Sequence, residues 1–552
     1  MGPFDVGTIV GEADTGYCTT SPAPAMSTIN SPYMINPADI LTAASSEQAL
    51  EERIAHQAAQ IATTLAPFEP RSAVYAWFDT LRAIEEFINL MTIDWDDDDF
   101  EHRFFSLPVV GLVNQLDELK EIRQRMVARF GENFGIRFTN LLIQGSAIAV
   151  SFEAHEALDV AAGFHTVGTM VGYLQSRRRH FVGLLHMLPT ACRGSQIVVP
   201  LDTLNVFLPL IEYSAVQMMG AQYALMVKLA RERLGFAEDR RAEMAMLDVL
   251  FLEPERAKIS EMPMTEEGLK MLESREELRP DRLFSAAELR NDILLIEAAY
   301  AEFDLHGTDF AAAATLVRRL SNDFIDRDFW IVISPTDLID LFNMVGASPA
   351  LRSALTCPAL SYMECLSSYS PLVLIDGVYR STVTLLSRFV YSWRARILDR
   401  RKRFQIRAGF IFEDAVADEL GRQGFVVQAI TRINRHEFDV VTLRNNVIWN
   451  VQCKNNFVDL TSIDSDAHRF ARYNRGLVHS YKRALTKERN REHLLKTKLS
   501  LDAIQHMVVS RFPVVSDDPR IVPFSRITTF AEKADALLAK AAGEVAAVQA
   551  PP

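Results

Sequence analysis

Cysteine is scarce in this chain. The five present among 552 residues, Cys18, Cys192, Cys357, Cys365 and Cys453, show neither CxxC spacing nor close pairing. That argues against a disulfide framework or a structural zinc site and fits a reducing cytoplasm. A basic n-region followed by an apolar segment is missing, because the first residues carry Asp5, Glu12 and Asp14, so no signal peptide is expected. Uninterrupted hydrophobic runs are missing too. The most apolar stretch, 204–227, is broken by Pro209 and Glu212 and reads as a buried helix pair, so no membrane partner is expected. No GxxxxGKS/T loop, GxGxxG fingerprint or GxSxG elbow occurs, which leaves no built-in NTPase, dinucleotide or serine-hydrolase site. No internal repeat marks a solenoid.

What is present is an ordinary globular composition, 49% hydrophobic and 23% charged, and enough chain for three or four domains at about 150 residues each. The net charge of −13 is unevenly placed: residues 394–552 hold 27 Lys and Arg against 18 Asp and Glu, or +9, and residues 1–393 hold 31 against 53, or −22. Such asymmetry hints at a nucleic-acid-facing part attached to an acidic one. Residues 1–40, rich in Gly, Pro, Ser and Thr, read as a flexible arm. Residues 41–393 read as an acidic, mostly helical region in which Ser45 and Gln48 form a capping box. Val74, Trp77, Phe78, Leu81, Ile84, Ile88 and Met91 keep the 3–4 spacing of a buried helix face. The charged stretch 231–281 is the expected division into two subdomains.

The character changes at Arg394. Seven positive charges fall between Arg394 and Arg407, and β-branched runs follow at 425–430, 438–443, 447–454, 506–512 and 520–524. Helical patterns at 406–420, 468–487 and 529–542 separate or flank them. The fold class is therefore α+β and multidomain: a large, mostly α-helical N-terminal region, then an α/β domain at 394–535 whose central mixed sheet is flanked by helices. An Ala- and Pro-rich tail is expected at 536–552.

Within that domain, FDVVTLRNNVIWNVQCK suggests a hairpin turning at Asn445 and Asn446, residues that tolerate the positive φ of a tight primed turn. This register pairs Val440 with Val451, Thr442 with Trp449 and Phe438 with Cys453 on one face. On the other face it sets Asp439 across from Gln452, with Cβ atoms about 4.5–5.5 Å apart, a spacing that suits two oxygen ligands of one hard divalent cation. Lys454 shares the face of Gln452. In the preceding helix, Glu413 falls in an apolar stripe through Ile406, Phe410, Val416 or Ala417, and Leu420. A carboxylate there needs a partner or a metal.

Glu413 in GFIFEDAVADEL, Asp439 in HEFDVV, and Gln452 with Lys454 in VQCKN resemble the PD-(D/E)xK nuclease superfamily, and within it the Mrr-like restriction endonuclease branch, which carries Gln in place of the middle acid. Phe438 departs from the Pro found in many members, and the resemblance spans roughly residues 405–530. It implies a restriction-endonuclease-like fold and a Mg²⁺-dependent endonuclease acting on DNA, with Mn²⁺ as a substitute, in a bacterial defence or DNA-processing setting. Asp439, Gln452, the Cys453 carbonyl and Glu413 would hold the metal, Lys454 would orient the attacking water, and a homodimer is expected.

The stretch after Lys454 adds a basic surface: Arg469, Arg472, Arg475, Lys482, Arg483 and Lys487, with Arg489, Arg491, Lys496 and Lys498 beyond, stand against only Glu488 and Glu492. Such a surface suits phosphate neutralisation, and Tyr473 and Tyr481 are either stacking or core residues. Two other readings stand beside the DNA endonuclease: a non-catalytic nucleic-acid-binding scaffold, and a nuclease acting on RNA. The helical region is expected to engage a protein partner and, by its charge, to restrain nucleic-acid access. Asp96–Asp99 reads as a solvated helix start, and Glu153, His155, Glu156 and His165 lack metalloprotease spacing.

Overall fold

Ser46 is a helix cap: its Oγ accepts the Ala49 N–H at 3.1 Å, one residue beyond the expected cap. The computed structural model describes residues 46–93, 95, 97–154, 165–211, 217–234, 264–277, 283–327, 329–356, 361–456, 466–512 and 514–549. The expected arm at 1–40, His155 and Glu156 lie outside these residues, as do 235–263 within the expected division.

Among the described residues, the longer helices of the first unit are α1 (Glu47–Leu65), α2 (Pro70–Ile88), α3 (Asp98–Phe105), α4 (Leu116–Phe130), α5 (Glu132–Ala154), α6 (Val167–Ala191) and α7 (Gln217–Leu234). The stripe on α2 is buried as its spacing predicts, from Val74 to Ile88, but Met91 lies past the helix end and is exposed. Trp77 is fully buried and donates its indole N–H to the Phe181 carbonyl at 2.9 Å, which ties α2 to α6. Asp97 caps α3, accepting the Phe100 N–H at 3.0 Å and pairing with Arg125 at 2.8 Å, so the aspartate run begins a helix and is not a cation loop.

The second unit adds a small sheet to the mostly helical region expected there. Helices α8 (Glu266–Leu272), α9 (Ala286–Ala299), α10 (Asp309–Asp323), α11 (Pro335–Met344), α12 (Pro349–Thr356), α13 (Tyr362–Ser367) and α14 (Val383–Leu398) accompany a four-stranded antiparallel sheet. Its strands are β1 (Ile325–Asp326), β2 (Trp330–Ile333), β3 (Val373–Ile375) and β4 (Val378–Thr382), in the order β1-β2-β4-β3. Asp376 and Gly377, at φ 53° and 73°, make the β3–β4 turn. Two buried clusters result, one built mainly from α2 to α6 with Tyr362, Cys365 and Leu366 of α13 packed into it, and one from α9 to α12 and α14.

Helix α15 (Lys402–Arg422) crosses into the third unit. Its first turns, Phe404 and Ala408, finish the second core, and Phe412, Val416 and Leu420 begin the third. Arg394 belongs to the second core: it is buried in α14 and lies over the Tyr300 ring. The third unit contains β5 (Val426–Gln428), β6 (Arg432–Ile433), β7 (His436–Glu437), β8 (Val440–Arg444), β9 (Val447–Lys454), α16 (Ala467–Asn490), α17 (Glu492–Leu499), β10 (Ile504–Ser510), β11 (Ile521–Pro523) and α18 (Phe530–Gln549). The main sheet runs β11-β10-β9-β8-β5, parallel through β9, β10 and β11 and antiparallel at β8 and β5, with β6 and β7 as a separate hairpin. Helices α15 and α18 cover one face, α16 and α17 the other. The central strand β9 is therefore buried on both sides from Val447 to Gln452, and each such Val, Ile or aromatic side chain contributes roughly 1.5–3 kcal/mol. The expected tail at 536 is instead continuous with α18, and Leu537 and Leu538 pack on the core.

Candidate active site

The β8–β9 hairpin has the predicted register, with Val440 opposite Val451 and Thr442 opposite Trp449, and it turns at Asn445 and Asn446 with φ 54° and 62°. The ladder stops there. Asp439 sits in a bend, and its carboxylate accepts the Cys453 N–H at 2.8 Å, standing in for the main-chain acceptor a longer strand would have supplied. Asp439 thus hooks onto the end of β9 and is not held as a regular ladder partner of Gln452. The expected pairing of Phe438 with Cys453 is also lost. Phe438 swings to the opposite face, into a cluster with Val441, Ile448 and Leu495.

Glu413 reaches the same place from α15, though not from the stripe its sequence suggested. The buried positions of α15 are Phe404, Ala408, Phe412, Val416 and Leu420; Ile406 and Phe410 face outward, 50% and 55% exposed. Glu413 flanks Phe412 and is half-buried. Burial and then the nearby Asp439 charge push its carboxyl up to about 7, with Lys454 acting in the opposite direction. Burial likewise raises Asp439, opposed by the Cys453 N–H and by Lys454. Lys454 donates to Gln452 Oε1 at 3.2 Å. The Gln452 side chain is buried and its Nε2 has no hydrogen-bond partner. Burial drives the Cys453 thiol well upward, so it is a protonated packing group and not a nucleophile.

Glu413, Asp439, Gln452 and Lys454 are therefore brought together at the end of β9. The Glu413 carboxyl, raised by the Asp439 charge, the Asp439 carboxylate itself and the Gln452 Oε1 make an oxygen donor set that a hard divalent cation fits: its charge relieves the repulsion, and oxygen ligands match its preference.

A supporting layer was not anticipated. Asn450, two residues before Gln452 on the same face of β9, donates to Glu488 at 2.9 Å and contacts His506 at 3.2 Å. Glu488, fully buried, takes both ends of the Arg491 guanidinium, one at 2.8 Å, and that guanidinium lies 4.6 Å over the Phe438 ring. Arg491 is thus a buried brace of the bend that carries Asp439, not a phosphate contact. An asparagine inside an otherwise apolar strand, VIWNV, is the sequence signal that could have revealed this layer.

On α16, Arg469, Arg472, Arg475, Lys482, Arg483 and Lys487 are all exposed, with Lys482 paired to Asp517 at 3.4 Å. Tyr481 is buried and its hydroxyl accepts from Asn456 at 2.7 Å, while Tyr473 packs on Phe512, so both are core residues. The start of α16 is covered by the first unit: Ala467, Phe470 and Ala471 pack with Leu50 of α1 and with Ala224, Leu225 and Leu229 of α7. His468 there contacts Glu51 at 3.2 Å and Glu47 at 3.5 Å. Among the described residues this trio is the His, Cys, Asp and Glu group whose ligand atoms all lie within 4.8 Å of one another, and it fastens α1 to α16. No helix of the described residues is long and apolar enough to cross a membrane. No protein-family model matches the chain, and no curated protein or solved structure is similar to it.

Proposed function

We propose that the third unit is a Mg²⁺-dependent endonuclease that hydrolyses DNA phosphodiester bonds. The observation that carries this reading is the grouping of Glu413, Asp439, Gln452 and Lys454 at one strand end, with both carboxyls raised. Two independent features support it. The unit runs helix, three main-sheet strands, two helices, then two further strands, and the four residues that carry the resemblance fall on its first helix and around the β8–β9 hairpin. The exposed cations of α16 lie on the same unit and suit phosphate contact.

In this reading Asp439, Gln452, the Cys453 carbonyl and Glu413 would hold the cation. When bound, the cation polarises a phosphoryl oxygen, lowers the pKa of its water and neutralises charge on the leaving oxygen. The side chains supply the rest. The Cys453 N–H fixes the Asp439 carboxylate, so this ligand needs no reorganisation as the reaction proceeds. The Lys454 ammonium, steadied by Gln452 Oε1, would contact a phosphoryl oxygen and orient the attacking water. Glu413, whose carboxyl is pushed up to about 7 without metal, would give up that proton as the cation binds.

The test is cleavage of supercoiled plasmid and of RNA with Mg²⁺ by wild type, Asp439→Ala and Lys454→Ala. Loss of DNA cleavage in both variants is the expected result. Equal activity in all three proteins would sink the assigned site; salt-sensitive DNA binding without cleavage would favour a scaffold, and cleavage of RNA alone an RNA nuclease.

A further inference from the structure

We infer that the β6–β7 hairpin is a groove-reading element for duplex DNA, and that Asn434 and Arg435 at its tip set base preference around the cut. This deepens the endonuclease reading and rests on it.

The hairpin is small, but it is built to project. Arg432 pairs with Glu437 and Ile433 with His436, and Asn434 takes the positive φ, 55°, that a two-residue turn requires. Its base is anchored: the Phe438 N–H donates to the Thr431 carbonyl at 3.0 Å, Ile433 packs on the Phe438 cluster, and Arg491 braces Phe438 from behind. The rest of the ribbon is bare. Arg432, Asn434, Arg435, His436 and Glu437 are all exposed. Within the ribbon, Ile433 packs on an apolar cluster while the other five side chains stay exposed.

Position and charge point to the occupant. Glu437 is two residues from Asp439, and its charge is felt at Glu413, so the hairpin stands at the rim of the catalytic cluster. Arg432 is neutralised by its ion pair with Glu437, which leaves Arg435 as the net positive charge at the tip. Two residues per strand, at about 3.3 Å each, plus the turn and an arginine side chain give a reach on the order of 12–15 Å. The B-DNA major groove is about 12 Å wide and 8.5 Å deep and admits a two-stranded ribbon. Arginine and asparagine are the side chains that make paired hydrogen bonds to guanine and adenine edges there. The deep, narrow major groove of A-form RNA would not admit the ribbon. The α16 cations, in contrast, suit the phosphates, which position without reading sequence.

The experiment uses the full chain. A randomised-sequence duplex library is cleaved with Mg²⁺ and its ends are sequenced for wild type, Arg435→Ala and Asn434→Gly, the last keeping a residue suited to positive φ. Wild type is expected to show a base preference at one or two positions near the cut, and each variant to flatten one of them about 5- to 100-fold while Mg²⁺ dependence persists. Unchanged preference in both variants, or no preference in wild type, overturns the hairpin's role and leaves the endonuclease standing. Cutting confined to single-stranded RNA also overturns it. No cleavage by wild type, with Lys454→Ala as the blank, removes the parent reading and this one with it.

Discussion

Two kinds of carboxylate site in this molecule are built in opposite ways. In the first core Glu85 faces Arg178, which donates to it through two nitrogens, one at 2.8 Å, and both side chains are closed off from solvent. Glu488 in the third unit is matched the same way by Arg491. At the end of β9, by contrast, Glu413 and Asp439 have each other, one N–H from Cys453 and one lysine that leans on Gln452. A carboxylate closed by a guanidinium holds structure together. Two carboxylates left with a shared deficit of positive charge do not; in the proposed reading they are arranged for a cation.

Breaking the open site should have the largest effect on activity and little on folding. Asp439→Ala and Lys454→Ala are expected to lower Mg²⁺-dependent cleavage by about 1,000-fold with Tm nearly unchanged, read by cleavage rates beside thermal melts. Breaking the closed site should do the reverse. Arg178→Ala strands Glu85 in the core and is expected to cost about 3–5 kcal/mol in denaturant unfolding, while Mg²⁺ affinity of the folded fraction holds.

Glu413→Gln sharpens the comparison through pH. Because the folded carboxyl is raised from 4.5 to about 7, its favourable contribution is complete below 4.5 and is lost as pH rises through 7. Without metal at pH 8, the Gln variant should therefore be more stable than wild type by about 1–2 kcal/mol, allowing for solvent screening of a half-buried group, yet cleave DNA far more slowly. A less stable variant at that pH would show Glu413 to be paired like Glu85. The smallest effect belongs to the surface: Arg483→Ala and Lys487→Ala should each reduce the slope of log binding against log salt by about 1, measured by fluorescence anisotropy on duplex DNA.

Much of this contrast is legible in the sequence where local rules are strong. Asn445 and Asn446 fix a turn, the turn fixes a register, and the register holds through Val440 and Val451. The same rules fail where tertiary contact decides. Helix α15 carries two apolar stripes, and only packing determined that Phe412 and Val416 are covered while Ile406 and Phe410 are not. Alternation failed at Phe438 because the carboxylate of Asp439 captured the Cys453 N–H and ended the strand. The four-stranded sheet of the second unit escaped notice although FWIVI and the Asp376–Gly377 turn were visible signals, because short strands among long helices give little periodicity. Arg491 looked like one cation in a run, and only its burial against Glu488 separates it from the exposed arginines of α16.

The central claim, that Glu413 and Asp439 form an open cation site, is tested most directly by proton release on Mg²⁺ binding. Calorimetric titration at pH 7 in two buffers of different ionisation enthalpy should show about half a proton leaving each wild-type chain and almost none leaving Glu413→Gln. No Mg²⁺ binding by wild type, or identical proton release from both proteins, would contradict it.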